Sequence, residues 1–459
     1  MSPLLLLALA CKDSGAPEGV DLLAQATLED DIATVAWVTW ETDAPGTSWV
    51  EYGKTRDLGR STVASATETT DHAVLLAGLT PRSTWYWRPV SEVAGERLEG
   101  AIGALETGVS PQELPQVDNT TTYDASLAQP GYTLTTSLGD PSWVIIYDTD
   151  GQPVWWQKAP EQSVIAQVRM SPDGTSVLYN VASLNFGDDI GMIRKVRLDG
   201  EVLSETRTEW GHHDFVPLPE GGGYAYIAAD IRPWIDDEGH ERQVVGDSIV
   251  EVPEGATDGS ASTWIWSTWD HFAVDVDPAV DNDFYPQGLD WTHSNSLKLE
   301  NGHYALSVRK ENAFVNVERA TGDTIWQIGG VGSEWTQTEG RTFVGQHSPE
   351  LVGEDSFLLF DNGDVDIRGA YSEAVEYSMD LEAKTYTPTW SYDYGQEISS
   401  YLLGDVERLE NGNTLIAWGS GGTITEVTPT GEMAFQVSLG IGSAIGFTHH
   451  IDALGGVAP

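Results

Sequence analysis

The chain has few cysteines and few basic residues. Cys11 is its single cysteine among 459 residues, so no disulfide bond can form within one chain. Only 23 Lys and Arg residues stand against 71 Asp and Glu residues, which gives a formal net charge of −48. Because so acidic a surface repels nucleic acid and anionic membranes, we expect neither as a partner. An anionic small molecule would need a local pocket built from these few basic side chains.

Long apolar runs are also scarce. Residues 4–10 form the one clear run, and it is too short to cross a membrane as a helix. Together with Cys11 this run resembles a bacterial lipoprotein signal, although no basic segment precedes it. We therefore expect residues 1–11 to be a lipoprotein-like signal segment and residues 12–19 a tether. A plain signal peptide is the alternative. In either case the protein is expected to be exported to the periplasm or cell envelope, and the lipoprotein signal implies Cys11 as a lipid anchor.

Short alternating strands with aromatic residues are abundant between residues 20 and 108, which favours a β-sandwich. Three segments of this region resemble fibronectin type III domains: Val50-Glu51-Tyr52-Gly53, Gly78-Leu79-Thr80-Pro81 and Thr84-Trp85-Tyr86-Trp87. We interpret His72 as a structural residue of this domain. Residues 109–130 are rich in Pro, Thr and Asp and are expected to form a linker.

From residue 131 to residue 459 the chain is repetitive. One half of the repeat ends in a glycine or acidic turn, and six copies of the other half end in an apolar or Trp-containing strand. Four short strands per unit predict an all-β fold, a six-bladed β-propeller that follows the β-sandwich. The first blade lacks a clear first half, so residues 447–454 are expected to supply its closing strand. Insertions at 233–246 and 269–288 are expected to be loops or lids on one rim.

Three repeats carry a histidine at the same position. When the repeats are aligned on their turns, His212, His293 and His347 fall in register, and Leu403 takes that position in a fourth repeat. The first strand of each propeller blade lines the central channel, so these residues are expected to meet there. His213 is kept beside His212 because a β-bulge would exchange which of the two faces the channel.

Two further residues are predicted to belong to this site. Asn295 lies two residues after His293, on the same face of a predicted strand. Arg309 lies at the end of the next strand, and its guanidinium group can hold two oxygens of a sulfate or phosphate. A surface ion pair is the alternative for Arg309.

The remaining polar motifs receive structural interpretations. Asp361-Asn362-Gly363 is typical of a tight turn. The other histidines outside the predicted site are His240, His271 and His303, interpreted as loop or turn residues, and His449 and His450, weak candidates that reach the channel if the last strand closes the first blade.

An ordered set of motifs resembles the bacterial PAPS-independent aryl sulfotransferases (arylsulfate sulfotransferases). The motifs are Asp290-Trp291-Thr292-His293-Ser294-Asn295-Ser296, Ser307-Val308-Arg309, Gln346-His347-Ser348, Phe360-Asp361-Asn362-Gly363 and Arg408-Leu409-Glu410-Asn411-Gly412-Asn413-Thr414-Leu415. The resemblance implies a six-bladed propeller that moves a sulfuryl group from a phenolic sulfate ester to an acceptor phenol through a sulfated histidine. It implies no nucleotide, metal or other cofactor.

Carried over by motif, the resemblance implies that His347 is the nucleophile. The supporting residues would be His293, Asn295, Arg309 and one histidine of the pair formed by His212 and His213. One departure stands out: family members often have Tyr-Ser-Arg where this chain has Tyr371-Ser372-Glu373. If that arginine supports the donor site or a dimer, the departure implies an altered substrate range.

Two functions of other classes stay open at the level of sequence. Three channel histidines would also suit Zn²⁺ or Cu²⁺ in a metal-dependent hydrolase or lyase. The propeller would equally serve as a non-catalytic binding protein displayed at the cell surface. The sequence does not decide the natural donor and acceptor, nor whether the N-terminal domain packs on the propeller or pairs two chains into a homodimer.

Overall fold

The computed structural model describes residues 22–118, 121–184, 187–236, 238–278, 280–281, 284–363, 370–440 and 443–457. Cys11, the predicted signal segment and the predicted tether lie outside the described residues. Within them the chain forms one N-terminal sheet and six small sheets, which are the six blades of a propeller. The prediction of an all-β fold with a six-bladed β-propeller is confirmed. In the described part of the chain, no helix has the length and apolar character needed to span a membrane.

The N-terminal domain is one bent sheet, a half-barrel. Its strands are β1 (Ala24–Leu28), β2 (Ala36–Gly53), β3 (Arg60–Ser61), β4 (Thr69–Leu76), β5 (Thr84–Val93), β6 (Glu96–Glu99) and β7 (Gly103–Glu106). The first half of β2 pairs with β1 and β4, and its second half pairs with β3 and β5. Because β2 continues through both halves, they form a single hydrogen-bonded sheet rather than two separate ones. The likeness to fibronectin type III domains stays a prediction.

The interior of this half-barrel is aromatic. Trp40, Trp85 and Trp87 are buried among its aliphatic residues. His72 is also buried, stacks on Trp40 with ring centroids 5.1 Å apart, and lies 2.9 Å from the hydroxyl of Thr42. These contacts agree with the structural interpretation of His72.

The N-terminal domain packs directly on the propeller. Ile32 and Val35 belong to the same buried apolar cluster as residues of the first two blades and the last blade. Two hydrogen bonds cross the boundary: Trp156 Nε1 donates to the carbonyl of Asp31 at 2.9 Å, and Thr34 Oγ1 donates to the carbonyl of Val154 at 2.8 Å. The half-barrel therefore packs against the propeller of the same chain and shares its apolar core.

Each blade is an antiparallel sheet. The strands of the first three are, in blade 1, β9 (Tyr132–Leu138), β10 (Trp143–Tyr147) and β11 (Pro153–Lys158); in blade 2, β12 (Ser163–Val164), β13 (Val168–Met170), β14 (Ser176–Ser183), β15 (Met192–Arg197) and β16 (Val202–Arg207); and in blade 3, β17 (Gly211–Pro217), β18 (Tyr224–Ile235), β19 (Glu241–Val252), β20 (Thr263–Ser267) and β21 (Leu289–Asp290), of which β21 pairs parallel to β19.

The other three blades follow the same plan. Their strands are, in blade 4, β22 (Ser294–Glu300), β23 (His303–Val308), β24 (Ala313–Glu318) and β25 (Thr324–Gly329); in blade 5, β26 (Thr336–Gln337), β27 (His347–Gly353), β28 (Ser356–Asp361), β29 (Glu373–Asp380) and β30 (Thr385–Tyr392), of which β26 pairs parallel to β30; and in blade 6, β31 (Asp405–Arg408), β32 (Thr414–Ala417), β33 (Thr423–Val427) and β34 (Met433–Ser438). Five short 3-10 helices lie in the described residues, at Pro219–Gly221, Gly259–Ala261, Thr268–Asp270, Tyr394–Gln396 and Gly419–Gly421.

The ring is closed by both ends of the propeller sequence. The last strand, β35 (Ala444–Ile451), pairs with β9 and becomes the innermost strand of blade 1, as predicted from the missing half-repeat. At the other end, a strand inside residues 109–130 pairs with β34 at the outer edge of blade 6. This strand is β8 (Thr122–Tyr123). The predicted linker is therefore partly built into the propeller, where it covers an otherwise open sheet edge.

Polar contacts also join the inner strands of neighbouring blades around the channel. Taken round the ring, they are His449 Nε2 with Gln167 Oε1 at 3.1 Å, Arg169 with Asp214 at 3.1 Å, the amide of Leu297 with Asp214 at 2.7 Å, Lys298 with Glu350 at 2.7 Å, the amide of Arg408 with Glu350 at 2.8 Å, and the amide of Thr448 with Asp405 at 2.8 Å. Each buried carboxylate thus accepts hydrogen bonds that also hold two blades together.

The two insertions are combined into one structure. Residues 233–235 and 241–246 extend the β18–β19 hairpin, so most of this insertion is paired strand rather than the predicted loop. The second insertion leads to β21, which pairs with β19. Trp234, Trp269 and Trp291 pack together where the two insertions meet. This packing holds the second insertion against the end of the channel.

Candidate active site

The inner strands of blades 3, 4 and 5 are bulged at the same height. His213, His293 and Ser348 have positive φ angles of 49°, 50° and 48°. Strand register shifts beside each of them. A bulge re-aims the side chains around it, and a positive φ at residues other than glycine is a strained conformation concentrated at functional sites. Here the bulges bring successive side chains of each inner strand to the channel.

The bulges bring the predicted histidines together. The ring centroid of His213 lies 4.9 Å from that of His212 and 4.9 Å from that of His293. His347 and Arg309 are close enough for their charges to lower the pKa of His213. All four imidazoles are buried, with 2%, 8%, 9% and 3% of their surfaces exposed for His212, His213, His293 and His347. Residues from three blades therefore form one cluster.

His347 is held by a hydrogen bond to the turn after β28. Its Nδ1 lies 2.7 Å from Asn362 Oδ1 and 3.2 Å from the carbonyl of Gly345. Burial, and then the nearby Arg309 guanidinium, lower the pKa of His347 to about 3. The imidazole is therefore neutral near pH 7 and carries a lone pair. With Nδ1 engaged, Nε2 is the nitrogen left to react.

His293 is paired with a buried carboxylate. Its Nδ1 lies 2.6 Å from Asp290 Oδ2, and Lys310 Nζ lies 3.2 Å from the same oxygen. Burial alone would raise the pKa of Asp290, but the charges and hydrogen bonds of His293 and Lys310 outweigh it and lower that pKa. Asp290 is therefore ionised and accepts the hydrogen from His293 Nδ1. This hydrogen bond orients the ring of His293 and leaves Nε2 as the nitrogen available to the cluster.

His212 and His213 are hydrogen-bonded to each other, and His212 is also bonded to a carboxylate. Asp247 accepts hydrogen bonds from Thr292 Oγ1 and from the Ser294 amide, each at 2.6 Å, and lies 3.1 Å from His212 Nε2. Because a carboxylate only accepts, His212 Nε2 carries a hydrogen. The Nδ1 atoms of His212 and His213 are 2.7 Å apart.

Burial, and then His293, lower the pKa of His213 well below its usual value. One hydrogen lies between the two Nδ1 atoms, and His213 rather than His212 contacts the other histidines. The bulge has thus turned both side chains inward. The sequence left open which of the two histidines faces the channel, and in the structure both are buried there.

Arg309 and Asn295 differ in burial and in hydrogen-bond partners. Arg309 follows β23 directly, is half-buried, and donates from Nη2 to the carbonyl of Tyr401 at 3.2 Å. Asn295 is fully buried, and its Nδ2 donates to the carbonyl of Gln346 at 2.8 Å. Asn295 therefore holds the peptide that precedes His347. This geometry favours an orienting role for Asn295.

The second insertion covers the histidines with aromatic rings. Phe284 lies with its centroid 4.2 Å from that of His293 and stacks on His213 at 5.8 Å. Tyr285 meets His212 edge to face at 6.0 Å. Lys310 donates to Asp281 Oδ1 at 2.9 Å and so ties the insertion to the site. The cluster is consequently bounded by polar channel walls on one side and by aromatic rings on the other.

The geometry can be compared with known proteins. The family model for arylsulfotransferase (ASST) matches residues 116–440, which include every residue of the histidine cluster. The chain belongs to the arylsulfotransferase family. No curated protein matches it by sequence.

Solved structures with a similar course of the chain are distant in sequence. A Bacteroides caccae protein of unknown function is 12% identical, with 71% of this chain and 100% of that chain covered and a TM-score of 0.43. AztD from Citrobacter koseri is 9% identical, with coverages of 90% and 99% and a TM-score of 0.28. Virginiamycin B lyase from Staphylococcus aureus is 10% identical, with coverages of 70% and 88% and a TM-score of 0.33.

Three polar partners of the histidines in this arylsulfotransferase were missed from sequence. Asp247 lies on β19, far along the chain from the histidine motifs, and nothing in its surroundings marks it. Asp290 lies three residues before His293 in a quoted motif, and a histidine–carboxylate spacing of this kind was the available signal. Asn362 was assigned to a tight turn, and its turn chemistry hid the contact with His347.

The position at which this chain departs from its family lies beside that turn. Arg341 lies 2.9 Å from Asp361 Oδ2 and 2.8 Å from Glu373 Oε1. The hydroxyl of Ser372 donates to the carbonyl of Asn362 at 2.8 Å. Glu373 is therefore paired with Arg341 from a neighbouring loop.

The other histidines have structural surroundings. His449 reaches the channel but contacts Gln167 rather than the cluster. The rest have partners away from it: His450 lies near Gln129, His240 near Asp236, His271 against the carbonyl of Ser267 and His303 near Asn316. Over the residues that the structure describes, no three His, Cys, Asp or Glu side chains are grouped as ligands of one metal ion.

Proposed function

We propose that this arylsulfotransferase moves a sulfuryl group from a phenolic sulfate ester to an acceptor phenol through a sulfohistidine at His347. The observation that carries the proposal is the state of His347, a buried imidazole that stays neutral near pH 7 and has one nitrogen tied to Asn362. A neutral imidazole is a competent nucleophile, and one with a fixed ring plane needs little reorganisation to attack.

In the first half-reaction, the lone pair of His347 Nε2 attacks the sulfur of the donor ester. The sulfur–oxygen bond to the aryl group breaks, and its electron pair goes to the phenolic oxygen. Arg309 lies near His347 and supplies positive charge to the sulfuryl oxygens, whose charge must be matched during transfer. In a chain of net charge −48, such a local cation is what allows an anionic donor to bind.

His293 is the general acid for the leaving phenol in this mechanism. As an imidazolium whose Nδ1 donates to Asp290, it gives its Nε2 hydrogen to the departing phenolic oxygen. The neutral imidazole that results accepts the proton of the acceptor phenol in the second half-reaction. The acceptor oxygen attacks the sulfur, the nitrogen–sulfur bond breaks, and His347 returns to its starting state.

The aromatic cover suits the aryl part of both substrates. Phe284 packs against His293 and His213, so a phenyl ring bound beside the histidines would pack against its face or edge. The same ring keeps water from the site, which favours transfer to a phenol over hydrolysis. The cover therefore supports a transferase over a sulfatase.

The deciding experiment measures release of 4-nitrophenol from 4-nitrophenyl sulfate with and without added phenol. We expect parallel double-reciprocal plots and, without acceptor, a burst of one 4-nitrophenol per site. The His347→Asn variant should lose the burst and at least about 10³-fold of turnover. A wild-type protein with no activity would favour the binding-protein hypothesis, and activity lost with chelators would favour a metal enzyme.

A further inference from the structure

The turn that follows β28 contributes Asn362, whose side chain bonds to His347. Asn362 is 1% exposed and stands between His347 of blade 5 and residues 400–403, which lead into blade 6. A tight turn alone would not require a buried amide at this position, since turn asparagines usually bond their own backbone.

The hydrogen bonds of Asn362 fix the orientation of its amide group. Its Nδ2 donates one hydrogen to the carbonyl of Ser400 and the other to the carbonyl of Leu403, each at 2.8 Å. If the amide were flipped, its oxygen would face two carbonyl oxygens without any hydrogen between them. The oxygen of Asn362 must therefore be the atom that lies 2.7 Å from His347 Nδ1.

This orientation determines which nitrogen of His347 carries the hydrogen. An amide oxygen has no hydrogen to donate, and neither has the carbonyl of Gly345 on the same side of the ring. His347 Nδ1 must be the donor to both. In a neutral imidazole the other nitrogen, Nε2, then bears the lone pair.

We propose that Asn362 is a positioning residue that holds His347 in the Nδ1–H tautomer and so makes Nε2 the nucleophile. The inference rests on the proposed function and extends it to a residue outside the histidine cluster. When Nε2 forms its bond to sulfur, the ring becomes a cation with its hydrogen still on Nδ1. The Asn362 oxygen continues to accept that hydrogen and compensates part of the charge without adding a negative charge of its own.

The choice of an amide has a consequence for the pH profile. With asparagine, the pKa of His347 is about 3, so the nucleophile is fully neutral throughout the neutral range. A carboxylate at position 362 would still accept the Nδ1 hydrogen but would favour the imidazolium and raise that pKa. The acid limb of the burst rate would then move towards neutral pH.

The test compares burst rates for the wild type, Asn362→Leu and Asn362→Asp across pH 5 to 9. We expect Asn362→Leu to slow the burst about 10- to 100-fold with little change in KM. Asn362→Asp keeps an oxygen that accepts from His347 Nδ1 but sets its second oxygen against the carbonyls of Ser400 and Leu403, so it should recover only part of the rate at high pH and lose it as the pH falls. The matched control is Asn316→Leu, which removes an Asn–His contact of the same kind to His303. His303 begins β23 and pairs with Glu300, at the end of β22 remote from His293. The control should leave the burst unchanged.

The tautomer of His347 can also be measured in the wild-type protein, so the test does not depend on the variants folding correctly. Nitrogen-15 NMR of histidine-labelled protein, with the His347 signal assigned by its loss in His347→Asn, should show the Nδ1–H tautomer. A dominant Nε2–H tautomer, or a burst unaffected by Asn362→Leu, would overturn the role of Asn362. A wild-type protein without any burst would instead refute the sulfohistidine mechanism, so the two failures are distinguishable.

Discussion

At the scale of the residue, the cluster assigns unequal tasks to similar side chains. His347 is bonded to an amide and His293 to a carboxylate. The amide accepts from Nδ1 of a neutral, nucleophilic His347, whereas the carboxylate accepts from Nδ1 of His293 and leaves its Nε2 for proton transfer. Two histidines within one buried cluster are thus given different tasks by their partners.

This division predicts how the Asp290→Asn variant responds to the leaving group. Without the carboxylate, His293 loses the partner that orients its ring, so its Nε2 protonates the leaving oxygen poorly. We expect the rate with phenyl sulfate, whose phenolate leaves reluctantly, to fall about 10²-fold. With 4-nitrophenyl sulfate, whose leaving group needs little protonation, the loss should stay below about 10-fold.

A series of substituted phenyl sulfates measures this dependence directly. The rate plotted against the pKa of the leaving phenol should be steeper for Asp290→Asn than for the wild type. Equal slopes would show that His293 does not protonate the leaving group. Asp247→Asn is the informative comparison, because it alters the partner of His212 and not that of His293.

At the scale of the element, the described part of the insertion at 269–288 places aromatic rings against the histidines, where we propose that the aryl group binds. Phe284 is its contribution to the histidine cluster, whereas Phe272, earlier in the same insertion, packs against Trp266 away from it. The two phenylalanines therefore separate the effect of losing an aromatic contact at the site from the effect of loosening the insertion.

We expect Phe284→Ala to raise the KM for aryl sulfates about 10-fold, since an aromatic contact contributes about 1 kcal/mol beyond simple burial. Phe272→Ala should lower thermal stability without a comparable change in KM. Steady-state kinetics and thermal melts of both variants provide the check. Equal KM values for Phe284→Ala and the wild type would remove the aryl contact from the account.

Some features of the blades and of the site can be predicted from the sequence, and others cannot. The repeat period predicts the blades and, through its register, the meeting of His212, His293 and His347. It does not predict the bulges, because a positive φ at a histidine depends on tertiary contacts rather than on local preference. For the same reason Asn362 read as a turn residue, and Asp247, 35 residues from its histidine partner, carried no local signal.

At the scale of the whole molecule, the ring is held together by buried polar groups at the blade junctions. Glu407, on β31, accepts a hydrogen bond from the amide of His450 on β35 at 2.9 Å and thereby joins the last blade to the first. Burial raises the pKa of Glu407 to about 8, above its ordinary value of 4.5. Closure of the ring is therefore coupled to pH.

The sign of this coupling follows from the raised pKa. Between pH 4.5 and about 8, the folded chain holds a proton on Glu407 that the unfolded chain has released, so this group favours folding at low pH and the benefit is lost as the pH rises. Glu407→Gln should match the wild type at pH 5 and melt about 2–4 °C higher at pH 9. Glu410→Gln, an exposed change in the same blade, is the control. An unchanged difference between pH 5 and pH 9 would contradict the assignment.

The central claim, that the sulfuryl group passes through His347, is tested most directly by trapping the intermediate. The protein is mixed with 4-nitrophenyl sulfate without acceptor, quenched with alkali, digested and examined by mass spectrometry. The account predicts one added sulfuryl group on the peptide that contains His347, and its disappearance when phenol is added before the quench. A sulfuryl group on His293 or His213, or full transfer activity with no modified histidine, would contradict it.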